Sequence, residues 1–168
     1  MMNRSAPVWA CGHYLLWEAA PRQGDARLLY ADGPCEGAWQ LEQRGGRPFV
    51  WLGDEPTTLY AYAARPGRLR LRGDFEVGPC LPGRASCRLE VRGPWGERQE
   101  VEVAGGEHTL TLAVPAGVSR FAVRSLDRPT LRPLPNGDPR PLLLGVTVLS
   151  VRLGPQEEGA SGGAKGPR

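Results

Sequence analysis

From Leu28 onward the apolar residues come in short runs, and glycine or proline interrupts them before any run reaches the length of a helix. The runs lie at residues 28–30, 49–52, 57–63, 68–77, 86–92, 99–103, 108–114, 119–125 and 142–153. Several of them alternate strictly, as in Leu69/Leu71, Leu89/Val91, Val101/Val103 and Leu110/Leu112/Val114. A period of two puts successive side chains on opposite faces of a pleated strand, so one face is apolar and the other polar. Between the runs stand Arg65-Pro66-Gly67, Pro82-Gly83, Gly93-Pro94, Gly105-Gly106 and Pro115-Ala116-Gly117, which are turn residues. This pattern predicts an all-β chain: an antiparallel β-sandwich, jelly-roll-like, of about eight to nine short strands with under ~10% helix.

The two ends read differently. Residues 1–27 form a lead-in segment that stays open between strand and short helix: Trp9, His13, Leu16 and Trp17 share a helical face, but Val8-Trp9-Ala10 and His13-Tyr14-Leu15-Leu16 suit strands. Residues 142–153 are apolar at both parities, the pattern of a strand central in its sheet. Residues 154–168 are rich in Gly and Glu without periodicity and read as a disordered tail. The sandwich is therefore expected over residues 28–153 as one domain.

The formal charge of +3 argues weakly for a polyanionic partner. Of 21 basic residues only Lys165 is lysine, and the arginines alternate with apolar residues, as in Arg68-Leu69-Arg70-Leu71-Arg72. Such arginines form the solvated face of a strand, and no nucleic-acid partner is expected. Cys11, Cys35, Cys80 and Cys87 contain no C-x-x-C pair. Cys80 and Cys87 either close a short loop as a disulfide or stay as free thiols, according to compartment. No apolar stretch spans a bilayer and the N-terminus has no signal-peptide pattern, so no membrane insertion is expected. Taken as given the chain reads as cytoplasmic, and as extracytoplasmic if it is a fragment of an envelope protein.

Catalytic motifs are missing. His13 and His108 lie in no nucleophile or metal pattern, and no G-x-S-x-G, H-E-x-x-H or phosphate-loop motif occurs. The acids Asp32, Asp54, Asp74 and Asp138 read as turn residues, and no enzyme activity, metal or cofactor is expected. Two stretches carry chemistry. In the first, Trp39 and Glu42 sit beside a charged turn, where an exposed ring can stack on a sugar, while Trp51 falls on an alternating strand and reads as core. In the second, Asp138 and Arg140 stand two apart after a proline-rich loop, at the spacing for a carboxylate–guanidinium pair.

Taken together, Gly37, Trp39, Glu42 and Trp51, followed by Asp138, Arg140, Gly145 and Val146, resemble a β-sandwich domain of bacterial membrane proteins that act in glycosyl transfer and polysaccharide synthesis. The resemblance covers roughly residues 28–153. Val50 stands where that pattern has arginine, and one extra residue separates Gly37 from Trp39. It implies a jelly-roll-like accessory domain, carbohydrate-binding-like and non-catalytic, with a carbohydrate or a membrane glycosyltransferase as partner. The implied contacts are Trp39, Glu42, Asp138 and Arg140. The alternative is a structural or protein-interaction sandwich without a small ligand.

Overall fold

The computed structural model describes residues 9–11, 14–18, 24–32, 40–131 and 133–155. Twelve strands run through them: β1 (Trp9–Cys11), β2 (Tyr14–Glu18), β3 (Ala26–Asp32), β4 (Gln40–Arg44), β5 (Arg47–Leu52), β6 (Thr57–Ala63), β7 (Gly67–Val77), β8 (Ser86–Arg92), β9 (Arg98–Ala104), β10 (Gly106–Val114), β11 (Gly117–Ser125) and β12 (Leu144–Gly154). No helix occurs among the described residues. All nine runs read from the sequence are strands, and β1, β2 and β4 join them. Where it is described, the lead-in segment is strand apart from a turn at residues 24–25. Gly154, placed in the tail by its composition, ends β12 opposite Arg68; residues 156–168 lie outside the described residues.

The strands form two antiparallel sheets, ordered β1-β2-β3-β6-β11-β8-β9 and β10-β7-β12-β5-β4. From β5 onward the chain follows the jelly-roll winding, with β6-β11-β8-β9 in one sheet and β5-β12-β7-β10 in the other. The β4–β5 hairpin turns on Gly45 and Gly46, both at positive φ (58° and 76°). A two-residue hairpin loop with positive φ at both positions matches the twist of the strands, and glycine adopts it without strain.

The alternating strands bury one parity and expose the other. In β7 Leu69, Leu71 and Phe75 face inward at 5% exposure or less, while Arg68, Arg70, Arg72, Asp74 and Glu76 face out. Asp74, read as a turn acid, therefore lies mid-strand. Leu28, Leu59, Val91, Val103 and Phe121 lie in the facing sheet and Leu112 on β10 beside β7, each at 5% or less. An apolar cavity of about 60 Å³ remains between the sheets, lined in part by Leu71, Leu89, Leu112 and Val148.

β12 is central, pairing with β7 on one side and β5 on the other. Its apolar residues at both parities have a cause other than two buried faces. The register against β7 shifts between Val148 and Ser150, a β-bulge. Before it Leu144, Val146 and Val148 share the inward parity; after it Val151 and Leu153 do. An extra residue in one strand reverses which parity faces the core, so a single-faced strand reads as apolar throughout.

Two further side-chain environments matter for the reading of the sequence. His108 is half-buried, its ring edge-on to Phe75 at 6.0 Å. Cys80 and Cys87 are buried free thiols. The Cys80 thiol donates to the Arg140 carbonyl at 3.5 Å, and Cys87 Sγ lies 3.4 Å from Ser125 Oγ.

Candidate functional site

The loop into β12 builds the first candidate surface. Asn136 Oδ1 accepts from the Asp138 amide at 3.1 Å and Gly137 takes φ of 82°, so the chain turns sharply at Asn136-Gly137. Asp138 then accepts from the amide of Arg140 (3.0 Å), from its Nε (3.0 and 2.9 Å) and from Nη2 (2.6 Å). The other arm of the guanidinium, Nη1, donates to Glu42 Oε1 on β4 at 3.1 Å. Three of the four residues singled out in the sequence are thus one ionic cluster; Trp39 lies outside the described residues. Arg140, first by its hydrogen bonds, holds the Asp138 carboxyl below the usual range, and Asp138 in turn raises the guanidinium further. Glu42 and Arg140 keep 35% and 40% of their side-chain surface exposed.

Beside this cluster the outer face of the five-stranded sheet carries Phe49 and Trp51, two apart on β5. Their rings meet edge to face, centroids 5.1 Å apart. Both lie below 5% exposure although they point away from the core. Gly145, opposite Trp51 on β12, leaves the space they occupy: a Cβ there would stand 2.3 Å from Phe49 Cζ and 3.0 Å from Trp51 Cζ3. Arg44 covers them from above, its guanidinium carbon 3.7 Å from the Phe49 centroid and 5.6 Å from that of Trp51. Glu76 on β7 anchors that guanidinium by an ion pair. These rings are sealed and offer no stacking platform.

Exposed rings stand on the opposite sheet. Among the described residues the large apolar side chains open to solvent are Tyr62, Val118 and Trp95, at 39%, 69% and 63%. Tyr62 and Val118 are direct cross-strand partners. Trp95 occupies the β8–β9 hairpin tip, where the Gly93 amide donates to the Glu97 carbonyl (2.9 Å) and the Trp95 amide to Glu97 Oε2 (3.0 Å).

No family model matches this chain, and no curated protein does. Among solved structures the chain is similar to the CBM35 of Cellvibrio japonicus Abf62, at 15% identity and TM-score 0.44, over 78% of this chain and 99% of that one. It is similar also to a family 35 carbohydrate binding module from Clostridium thermocellum, at 14% identity and TM-score 0.38, over 80% and 98%. A family two carbohydrate esterase from Clostridium thermocellum, in complex with cellohexaose, matches at 9% identity and TM-score 0.43. That match covers 76% of this chain, which spans 31% of the esterase. No residue of this chain is assigned from these likenesses.

Sequence reasoning missed the Arg44–Glu76 strap and the tryptophan at the hairpin tip. The strap joins residues on separate strands and leaves no local signal. Trp95 did leave one: a large ring between Pro94 and Gly96, inside a turn rather than on a strand, has no core to enter.

Proposed function

We propose that this sandwich is a non-catalytic glycan-binding module whose contacts are Glu42, Arg140 and Asp138, with Trp39, one residue before β4, as the stacking ring. The observation that carries the reading is the Arg140 fork. Asp138 fixes its Nε edge, and Glu42 accepts from the other arm, so a charged donor and a charged acceptor stand side by side and partly open. Sugar hydroxyls donate and accept at once, and a few rigid polar groups of both kinds are what orient such a ligand. Acid–base catalysis of the glycosidase kind needs one carboxyl kept protonated. Here Asp138 is held ionised by the Arg140 guanidinium, which pairs with it along one edge. An accessory role beside a membrane glycosyltransferase at the cell envelope belongs to the same proposal and rests on the sequence resemblance.

A glycan array followed by calorimetry on the hits tests it. Glu42→Gln keeps the shape and removes the charged acceptor. Binding should weaken by about tenfold or more, as expected for a charge-assisted hydrogen bond, with the melting temperature unchanged. Binding untouched by Glu42→Gln and by Trp39→Ala overturns the assignment. The second reading, a scaffold without ligand, draws on the bonds Arg140 makes within its own loop. On that reading Arg140→Ala lowers the melting temperature and no glycan is retained.

A further inference from the structure

The outer face of the seven-stranded sheet holds a group of arginines arranged by one buried acid. Glu90 on β8 points away from the core yet is 1% exposed. Three guanidinium groups cover it: Arg124 Nε on β11 at 2.8 Å, Arg92 Nε on its own strand at 2.8 Å and Arg98 Nε on β9 at 2.5 Å. Arg124 first, and then Arg92, hold the Glu90 carboxyl below its ordinary value, so the charge stays in place. Arg92 and Arg98 are direct cross-strand partners, and like charges placed so repel. Glu90 offsets part of that repulsion. Each arginine turns its Nε toward Glu90, and the three side chains, Arg92, Arg98 and Arg124, keep 54%, 51% and 38% of their surface exposed. Arg98 Nη2 also meets Glu100, at 2.5 Å. Three positive groups therefore share two carboxylates, and Arg27 and Arg120 add positive charge along the same face.

The exposed rings belong to this face. The antiparallel register of β8 on β11 runs from Leu89 opposite Ser125 to Arg92 opposite Ala122. Continued by the same rule, it carries the hairpin tip with Trp95 toward Val118, whose partner is Tyr62. Glu97 closes the turn that presents Trp95, through its carbonyl and its carboxylate. Gly96 takes φ of 83°, and the Glu97 carboxylate lies so close over Gly93 that a Cβ there would meet its Oε1 at 1.7 Å.

We infer that this face is a second binding surface, and that its ligand is an acidic polysaccharide bearing carboxylate or sulfate groups. Arg92, Arg98 and Arg124 receive the anionic groups, and Trp95 with Tyr62 receives the sugar faces. The outward glutamates Glu100 and Glu102 make the face a mixed one, which suits a chain of spaced charges and many hydroxyls. A nucleic-acid strand, with a charge on every nucleotide, would set phosphates against those glutamates. This surface stands apart from the Glu42–Arg140 cluster, and neither proposal needs the other.

Affinity electrophoresis of the full chain decides it, through gels containing polygalacturonate, chondroitin sulfate or a neutral hydroxyethylcellulose, with a single-stranded oligonucleotide titrated separately. Retardation is expected in at least one acidic gel and not in the neutral one, weakening as salt rises. Trp95→Ala and the double change Arg92→Gln with Arg98→Gln should each cut the affinity by about tenfold or more at an unchanged melting temperature. Glu42→Gln should leave it intact, which separates the two surfaces. No retardation in either acidic gel, retardation untouched by those variants, or tighter binding to the oligonucleotide overturns the inference.

Discussion

Trp51 and Trp95 stand on the outer faces of opposite sheets, and they have opposite fates. Trp51 is 4% exposed, lodged over Gly145 beneath Arg44; Trp95 is 63% exposed on a hairpin tip. The difference lies in the neighbours rather than in the ring. Around Trp51 the sequence supplies a glycine to make room, a phenylalanine to lean on and a long cation to close the top. Around Trp95 it supplies Pro94, Gly96 and a carboxylate that locks the turn, and nothing that covers the ring. One aromatic has become a small second core outside the sandwich, and the other is displayed.

The sharpest way to break this contrast is to truncate both rings. Trp51→Ala should cost about 3–5 kcal/mol in urea denaturation, as for a buried aromatic in a main core. A cost below ~1 kcal/mol would mean that the sealed face is a surface after all. Gly145→Ala comes next. Its methyl group cannot fit under Phe49 without displacing both rings, so a loss of about 1–3 kcal/mol is expected, with a change in tryptophan fluorescence as the indole is lifted into water.

Smaller effects sharpen the comparison. Arg44→Ala removes the cover but leaves the rings seated, and Arg44 is itself half exposed. About 0.5–1 kcal/mol is expected, with acrylamide quenching of Trp51 rising more than stability falls. Acid distinguishes the faces by their carboxylates. Asp138 and Glu90 both have depressed values in the folded chain. Their contribution is complete above the ordinary carboxylate range and is lost as the pH falls through those lowered values. The melting temperature should thus hold from neutrality to about pH 5 and fall below about pH 4. Glu90→Gln should lower the plateau and flatten the acid limb; an unchanged profile would show that the arginine group does not depend on that charge. Smallest of all, Trp95→Ala should shift stability by no more than about 0.5 kcal/mol, as for an uncovered surface residue.

Strands whose residues alternate were legible in the sequence because burial on one face writes itself as a period of two. Thr57–Ala63 and Ser86–Arg92 match the structure at both ends. Gln40–Arg44 escaped notice because it has a single apolar residue, Leu41, and is a strand by virtue of pairing with β5. Burial at β12 was legible, but its phase was not, since a bulge leaves both parities apolar. At the site, Asp138 and Arg140 could be paired from their spacing, two residues apart on one turn. That Glu42 completes the group depends on the sheet bringing β4 beside the loop before β12, a neighbourhood that spacing cannot show. The Glu90 group is hidden for the same reason, with members on β8, β9 and β11.

The central place of β12 has a consequence for how the protein is made. Until Leu144 to Gly154 has left the ribosome, the five-stranded sheet exists only as two separate pairs, β4-β5 and β7-β10. The flank of β5 at Leu52 and that of β7 at Val77 both wait for Leu144. A nascent chain would thus carry two open strand edges, one on β5 and one on β7, until β12 emerges, the condition under which edges find the wrong partner. Pairing across so long an interval of chain is also slow. Yield in a heterologous host should therefore respond to chaperone supply and growth temperature more than to any single surface residue.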